Sequence, residues 1–157
     1  MYRPVDKLLT VISIEEGACI HLIDVENLVG AGLVTPEAVS HLCAKYLQRV
    51  SPSKSDLFLV AAGPQNANAA REGWRAGQTF FQFRKGKDGA DTALVSFFNQ
   101  IENLKMFKAV YVASGDHSFE PIAQVCISQG VPVTFVTGRG KMSRTLAIYR
   151  HLKVQGL

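Results

Sequence analysis

Cysteine is scarce in this chain, and what there is lies scattered: Cys19, Cys43 and Cys126 are the three in 157 residues. Their odd number, wide spacing and lack of any C-x-x-C pair argue against a disulfide framework or a zinc site. Three buried thiols in a reducing compartment are the expectation. Long apolar runs are missing as well. The stretch from Leu8 to Ile14 is too short to span a bilayer and runs straight into Glu15 and Glu16. No small-residue cleavage site follows it, as a secretory signal would require. A soluble, intracellular and cytoplasmic chain is therefore expected. There is no internal repeat, low-complexity tract or long linker, and the length suits one domain over 1–157, with 1–17 as a lead-in. Acid is absent after Glu120, whereas Arg139, Lys141, Arg144, Arg150 and Lys153 all lie beyond it. Arg84, Lys85 and Lys87 form a second basic cluster, and the net charge is +4. Basic patches of this kind suit a polyanion, although surface cations also serve solubility alone.

Against these absences stands a 47% hydrophobic composition, ample for a core, distributed in a regular alternation. Ala18–Asp24, Leu57–Ala62, Thr79–Phe83, Ala109–Ala113 and Val133–Val136 read as five buried strands. Thr35 before Pro36 and Glu37 marks a helix start, running to about Arg49 before Ser51-Pro52-Ser53. Further helices are expected over Ala67–Trp74, Ala90–Leu104, Phe119–Gln129 with Gly130 as C-cap, and Ser143–Leu152. Strands alternating with helices predict an α/β fold, a parallel sheet covered on both faces. Ligands of such sheets bind beyond the carboxyl ends of the strands.

Three acids fall there. Asp24 ends the first strand and Asp116 follows the fourth. Asp91 opens the helix after the third, in phase with Leu94, Val95 and Phe98 at i+3, i+4 and i+7, so it continues the core-facing stripe. Singly, each acid suits a plainer role as a cap or a first-turn charge. Together on one edge, beside basic clusters, they favour a site. Carboxylates packed together raise one another's pKa, and a hard divalent ion, Mg2+ or Mn2+, relieves the strain. Such an ion also lowers the pKa of water and stabilises phosphodiester attack. Helix N-termini at that edge add positive potential.

These residues resemble the NYN domains of the PIN-like nuclease superfamily. The resemblance rests on Leu22-Ile23-Asp24-Val25-Glu26-Asn27, on Lys87-Asp88-Gly89-Ala90-Asp91 before an apolar helix, and on Ser114-Gly115-Asp116-His117-Ser118-Phe119-Glu120-Pro121. It spans roughly residues 18–137. It implies a three-layer α/β/α Rossmann-like sheet of about five strands in the order 3-2-1-4-5. It also implies a metal-dependent ribonuclease, endonucleolytic, with Asp24, Asp91 and Asp116 as metal ligands and catalytic acids. Asn27 matches the polar residue of the first motif, where an amide would orient a carboxylate, a water or a phosphate. Many relatives carry another acid two residues after the position of Asp116; here it is Ser118. A hydroxyl can bond a metal-bound water but brings no charge, which favours one metal over two, or a weakened activity. Glu26 is a candidate to compensate if the strand extends that far.

Other residues carry less. Ser114 and His117 flank the third acid as supporting groups, His117 as a proton shuttle or simply a surface histidine. His21, mid-strand, suits a satisfied core or edge position. Trp74, Phe80, Phe81 and Phe83 offer base stacking or, more plainly, core. Arg84, Lys85, Lys87, Arg139, Lys141 and Arg144 are the candidate RNA contacts, the last three around the Gly138–Lys141 loop and Ser143, which has no P-loop signature. The competing function is a non-catalytic RNA-binding or protein-interaction module on the same fold, with a homodimer or protein partner open. A haloacid-dehalogenase-type phosphatase fits poorly, because Glu26 stands where a second Asp is required. A dinucleotide-binding domain fits worse, since no glycine-rich turn follows the first strand.

Overall fold

The computed structural model describes residues 14–30, 32–138 and 153–157. Six strands form one parallel sheet: β1 (Ile20–Asp24), β2 (Leu57–Ala62), β3 (Gln78–Phe83), β4 (Val110–Ala113), β5 (Val133–Thr137) and β6 (Lys153–Gly156), in the order β3-β2-β1-β4-β5-β6. The five expected strands stand in the expected order, and β6 extends the sheet beyond β5, pairing Thr134 with Lys153 through Thr137 with Gly156. The helices are α1 (Val25–Val29), α2 (Pro36–Val50), α3 (Ala67–Gly73), α4 (Gly89–Asn99) and α5 (Glu120–Gln129). Among the described residues, no helix is long and apolar enough to cross a membrane.

The inner strands β1, β2, β4 and β5 are mostly apolar because both faces are covered. On one face Ile20, Leu22, Leu57, Leu59, Val110, Val112 and Phe135 meet α4 and α5 through Leu94, Phe97, Phe98, Ile122, Ala123 and Cys126. On the other, Ile23, Phe58, Val60, Ala62, Ala113 and Val136 meet α1, α2 and α3 through Val25, Leu28, Val39, Cys43, Tyr46 and Ala70. The period of two along β1 sends Leu22 to one layer and Ile23 to the other. The result is a three-layer α/β/α architecture.

Local chemistry sets the boundaries. The Thr35 hydroxyl accepts from the Ala38 N–H at 3.1 Å, capping α2 as the Thr-Pro-Glu start predicts. Gly130 closes α5 in the left-handed conformation with φ 70°. The helix expected to reach Leu104 instead ends at Asn99. The Gln100 N–H is shared between the carbonyls of Phe97 and Phe98, tightening the last turn, and a separate 3-10 turn covers Leu104–Met106. Half-buried Ile101 and buried Leu104 still face the core from that turn, so the apolar period outlasts the helix. The short α1 is a second departure. Its apolar residues Val25, Leu28 and Val29 have helical spacing, but five residues hold little periodicity to read. Ser143–Leu152, the last expected helix, lies outside the described residues, as does all of the lead-in before Ile14.

His21 is a core residue. It stacks between the rings of Phe58 and Tyr111, at 4.3 and 4.7 Å between centroids. Its Nδ1 lies 2.7 Å from the Tyr46 hydroxyl and its Nε2 2.8 Å from Asp56 Oδ2. Asp56 Oδ1 accepts from the Cys19 N–H and the Ser53 hydroxyl. This satisfied network closes the amino edge of the sheet, opposite the acids. Trp74 is core too, 2% exposed, which removes it as a stacking surface. Phe80, Phe81 and Phe83 are half-buried on β3, and the Arg71 guanidinium lies 4.6 Å over the Phe83 ring. Cys43 and Cys126 are buried free thiols, whereas Cys19 is only half-buried.

Candidate active site at the carboxyl edge of the sheet

β1 pairs with β2 and β4, with Ile23 opposite Ala113. The chain directions then bring Asp24, the last residue of β1, beside Ser114, the first residue after β4. The Ser114 hydroxyl donates to Asp24 Oδ2 at 3.1 Å, and its oxygen accepts from the Asp116 N–H at 3.2 Å. Asp24 also caps α1, its Oδ1 accepting from the Asn27 N–H at 3.3 Å. The plainer capping role and the site role therefore coexist in one side chain. Asn27 in turn accepts from the Gly115 N–H through Oδ1 at 3.0 Å. Its amide oxygen pins the loop after β4 to α1, a positioning role rather than a free hand toward substrate.

Asp91, in the first turn of α4, is 8% exposed, and Asp24 is 3% exposed. Helix phase put Asp91 on the buried side, and there it meets Asp24. The two carboxyl groups are within hydrogen-bond reach of each other, and both are pushed above the ordinary carboxylate range. Burial, then the Asp91 hydrogen bond and charge, push Asp24 up to about 8 against the opposing bonds from Asn27 and Ser114. Burial also raises Asp91; the bond with Asp24 pulls it back, and the charges of Asp116 and Asp88 push it further up.

Asp116 is less enclosed, its side chain 31% exposed. Its Oδ1 caps the next turn by accepting from the Ser118 N–H at 2.9 Å. His117 Nδ1 lies 3.5 Å from that oxygen with its ring 75% exposed, a surface residue at the rim. The Ser118 hydroxyl is close enough to Asp91 to lower its pKa but makes no complete hydrogen bond.

These groups line a crevice of about 440 Å³ at the carboxyl edge, with Asp24, Asp91 and Asp116 on its walls. Three further walls complete it. The turn after β2 contributes Gly63 and Gln65, and the β3–α4 loop contributes Gly86, Asp88 and Gly89. The third is Glu26, which sits in α1 rather than in an extension of β1. Its Oε1 accepts from the Gly63 N–H at 2.6 Å and from Asn66 Nδ2 at 3.2 Å. Glu26 thus turns toward β2 instead of joining the aspartates. Gly63-Pro64 at a strand end was the one hint of this wall.

Gly89 fixes where α4 begins. A Cβ there would lie 2.2 Å from the Arg84 carbonyl oxygen, so only glycine lets the loop pass so close to the helix start and to Asp91. Arg84, Lys85 and Lys87 on that loop are exposed beside the crevice. Arg139, Lys141, Ser143 and Arg144 lie outside the described residues.

Compared with family models, curated proteins and solved structures, the chain matches none. The site stands on its own geometry. An all-carboxylate donor set suits a hard cation, and two of its members, Asp24 and Asp91, lie side by side. Mg2+ is commonly held by one or two carboxylates, waters and substrate phosphate rather than by a full protein cage, and the Asp24–Asp91 pair fits that mode. The expected triad on one ion is not what the geometry offers. Among the described residues no group of three His, Cys, Asp or Glu side chains is disposed to hold an ion, although Asp116 lines the same crevice as the pair and its charge acts on Asp91.

Proposed function

We propose that this crevice is the active site of a divalent-cation-dependent ribonuclease of the NYN, PIN-like kind, cutting RNA internally. The observation that carries the reading is the Asp24–Asp91 pair: two buried carboxyl groups side by side, each with its pKa raised, in a crevice at the ligand-binding edge of a parallel sheet. Asp24 and Asp91 would hold a Mg2+ or Mn2+ ion, which would supply neutralisation of phosphate charge and a more acidic water. The chain's own residues supply the rest. Ser114 and the Asn27 N–H hold Asp24 still, and α4 holds Asp91. Asp116 has Oδ1 committed to the Ser118 N–H, which leaves Oδ2 to take the proton of the attacking water. Arg84, Lys85 and Lys87 bind flanking phosphates at the mouth.

The test is cleavage of single-stranded and structured RNAs with Mn2+ or Mg2+, with chelator as control. Asp91→Asn and Asp116→Asn, both folded, are each expected to lose cleavage by a factor on the order of 100 or more. Intact RNA under all conditions defeats the proposal. A second reading, an RNA-binding module without catalysis, is favoured by Ser118 in place of an acid and by the lack of a third ligand. Salt-dependent RNA binding that is insensitive to chelator and gives no turnover selects it.

A further inference from the structure

Glu26 is a charged side chain in the crevice wall that the proposed reaction does not use. One of its oxygens is fully engaged. Oε1 accepts from the Gly63 N–H and from Asn66, so the carboxylate is fixed in place by two bonds from the β2 side. The other is not: Oε2 is shielded from water and has no hydrogen-bond partner. A carboxylate oxygen held out of water without a donor is costly, and a ligand that brings one donor relieves that cost. No cation of the chain pairs with Glu26 among the described residues. Gln65, an exposed side chain lining the same crevice, has its amide atoms within 2.5 and 2.6 Å of where a Gly63 Cβ would be. The wall beside Glu26 is thus glycine and an exposed amide side chain, in the same crevice as the aspartates.

We propose that Glu26 is the residue that selects RNA over DNA in this crevice, its free Oε2 accepting a hydrogen bond from the ribose 2′-hydroxyl. One free oxygen calls for one donor, which matches a hydroxyl better than a base edge offering two. The 2′-hydroxyl is the group by which a protein tells RNA from DNA at a given site. It is also the neighbour of the phosphodiester that the aspartates face. The inference rests on the ribonuclease reading for its substrate and adds to it a specificity residue and the reason for the selection.

The experiment compares a mixed-sequence single-stranded RNA with its all-deoxy and all-2′-fluoro counterparts. Cleavage is measured with Mn2+, and binding by fluorescence anisotropy, for the wild type and for Glu26→Gln. Fluorine keeps an RNA-like sugar pucker but donates nothing and meets the carboxylate with like charge. Wild-type protein is expected to prefer RNA over both analogues by roughly 10- to 100-fold, the worth of one charge-assisted bond. In Glu26→Gln an amide N–H replaces the free oxygen. The RNA preference is expected to fall to within about threefold, with 2′-fluoro improving relative to DNA because the amide donates to it. Each ratio is internal to one protein sample, and binding of any strand reports that the variant is folded. Cleavage of RNA with no preference over 2′-fluoro, or a preference unchanged in Glu26→Gln, overturns the role of Glu26 and leaves the nuclease standing. No cleavage, but an RNA preference in binding that Glu26→Gln abolishes, overturns the nuclease and supports Glu26. Neither cleavage nor preference overturns both.

Discussion

Asp24 carries more chemistry than its place as a helix cap would suggest. Its pKa is raised from 3.8 to about 8, so the folded protein holds a proton that the unfolded chain has released. Stability from this group is therefore present at low pH and is lost as pH rises toward and through 8. His21 acts in the opposite sense. Burial lowers its pKa below 6.5 despite the Asp56 carboxylate, so the unfolded chain binds the proton first and stability falls as pH drops below that value. Asp24→Asn keeps an oxygen for the Asn27 N–H and offers Asp91 an N–H. It is expected to stabilise the protein by on the order of 1–3 kcal/mol at about pH 9, and by little at about pH 5, in urea unfolding. The same variant should lose RNA cleavage, the trade between stability and function that site residues show. At the amino edge, Tyr46→Phe removes the hydroxyl partner of His21 Nδ1. A loss of about 1–3 kcal/mol is expected by the same measurement. The three aspartates were legible from motif, strand ends and helix phase. Glu26 was legible as a candidate but its placement was not, because its partners Gly63 and Asn66 lie 37 and 40 residues away and meet it only when β1 and β2 align.

At the scale of elements, the site depends on where α4 begins. Gly89 packs on the Arg84 carbonyl, while Asp88 stands in the left-handed region at φ 58° and caps nothing with its side chain. Gly89→Ala is expected to shift the loop and the first turn of α4. It should cost about 1–3 kcal/mol in stability and more in cleavage than that loss explains, because Asp91 moves with the turn. A thermal melt alongside a cleavage assay checks this. The elements legible beforehand were those with full periods and chemical punctuation, such as α2 with its Thr35 cap and α5 with Gly130. Those misread had neither. α1 is too short for a period, the stripe of α4 continues through Ile101 and Leu104 after the helix has stopped, and β6 is a polar edge strand, Lys153-Val154-Gln155-Gly156, with no apolar run to reveal it.

For the whole molecule, parallel order puts every strand's carboxyl end on one edge, and that edge gathers the aspartates, Glu26 and the exposed Arg84, Lys85 and Lys87. If those three cations bind RNA phosphates, replacing all three with Gln should weaken RNA binding. It should also reduce the salt dependence, log K against log salt, by about 2 for a single strand. An unchanged slope would place the RNA elsewhere. The central proposal is that the Asp24–Asp91 pair would hold a divalent ion with which the site cuts RNA. It is tested most directly by RNA cleavage with Mn2+ in the wild type, the wild type with chelator, and folded Asp91→Asn. The account predicts internal cleavage in the first alone; intact RNA in all three, or equal cleavage in all three, would contradict it.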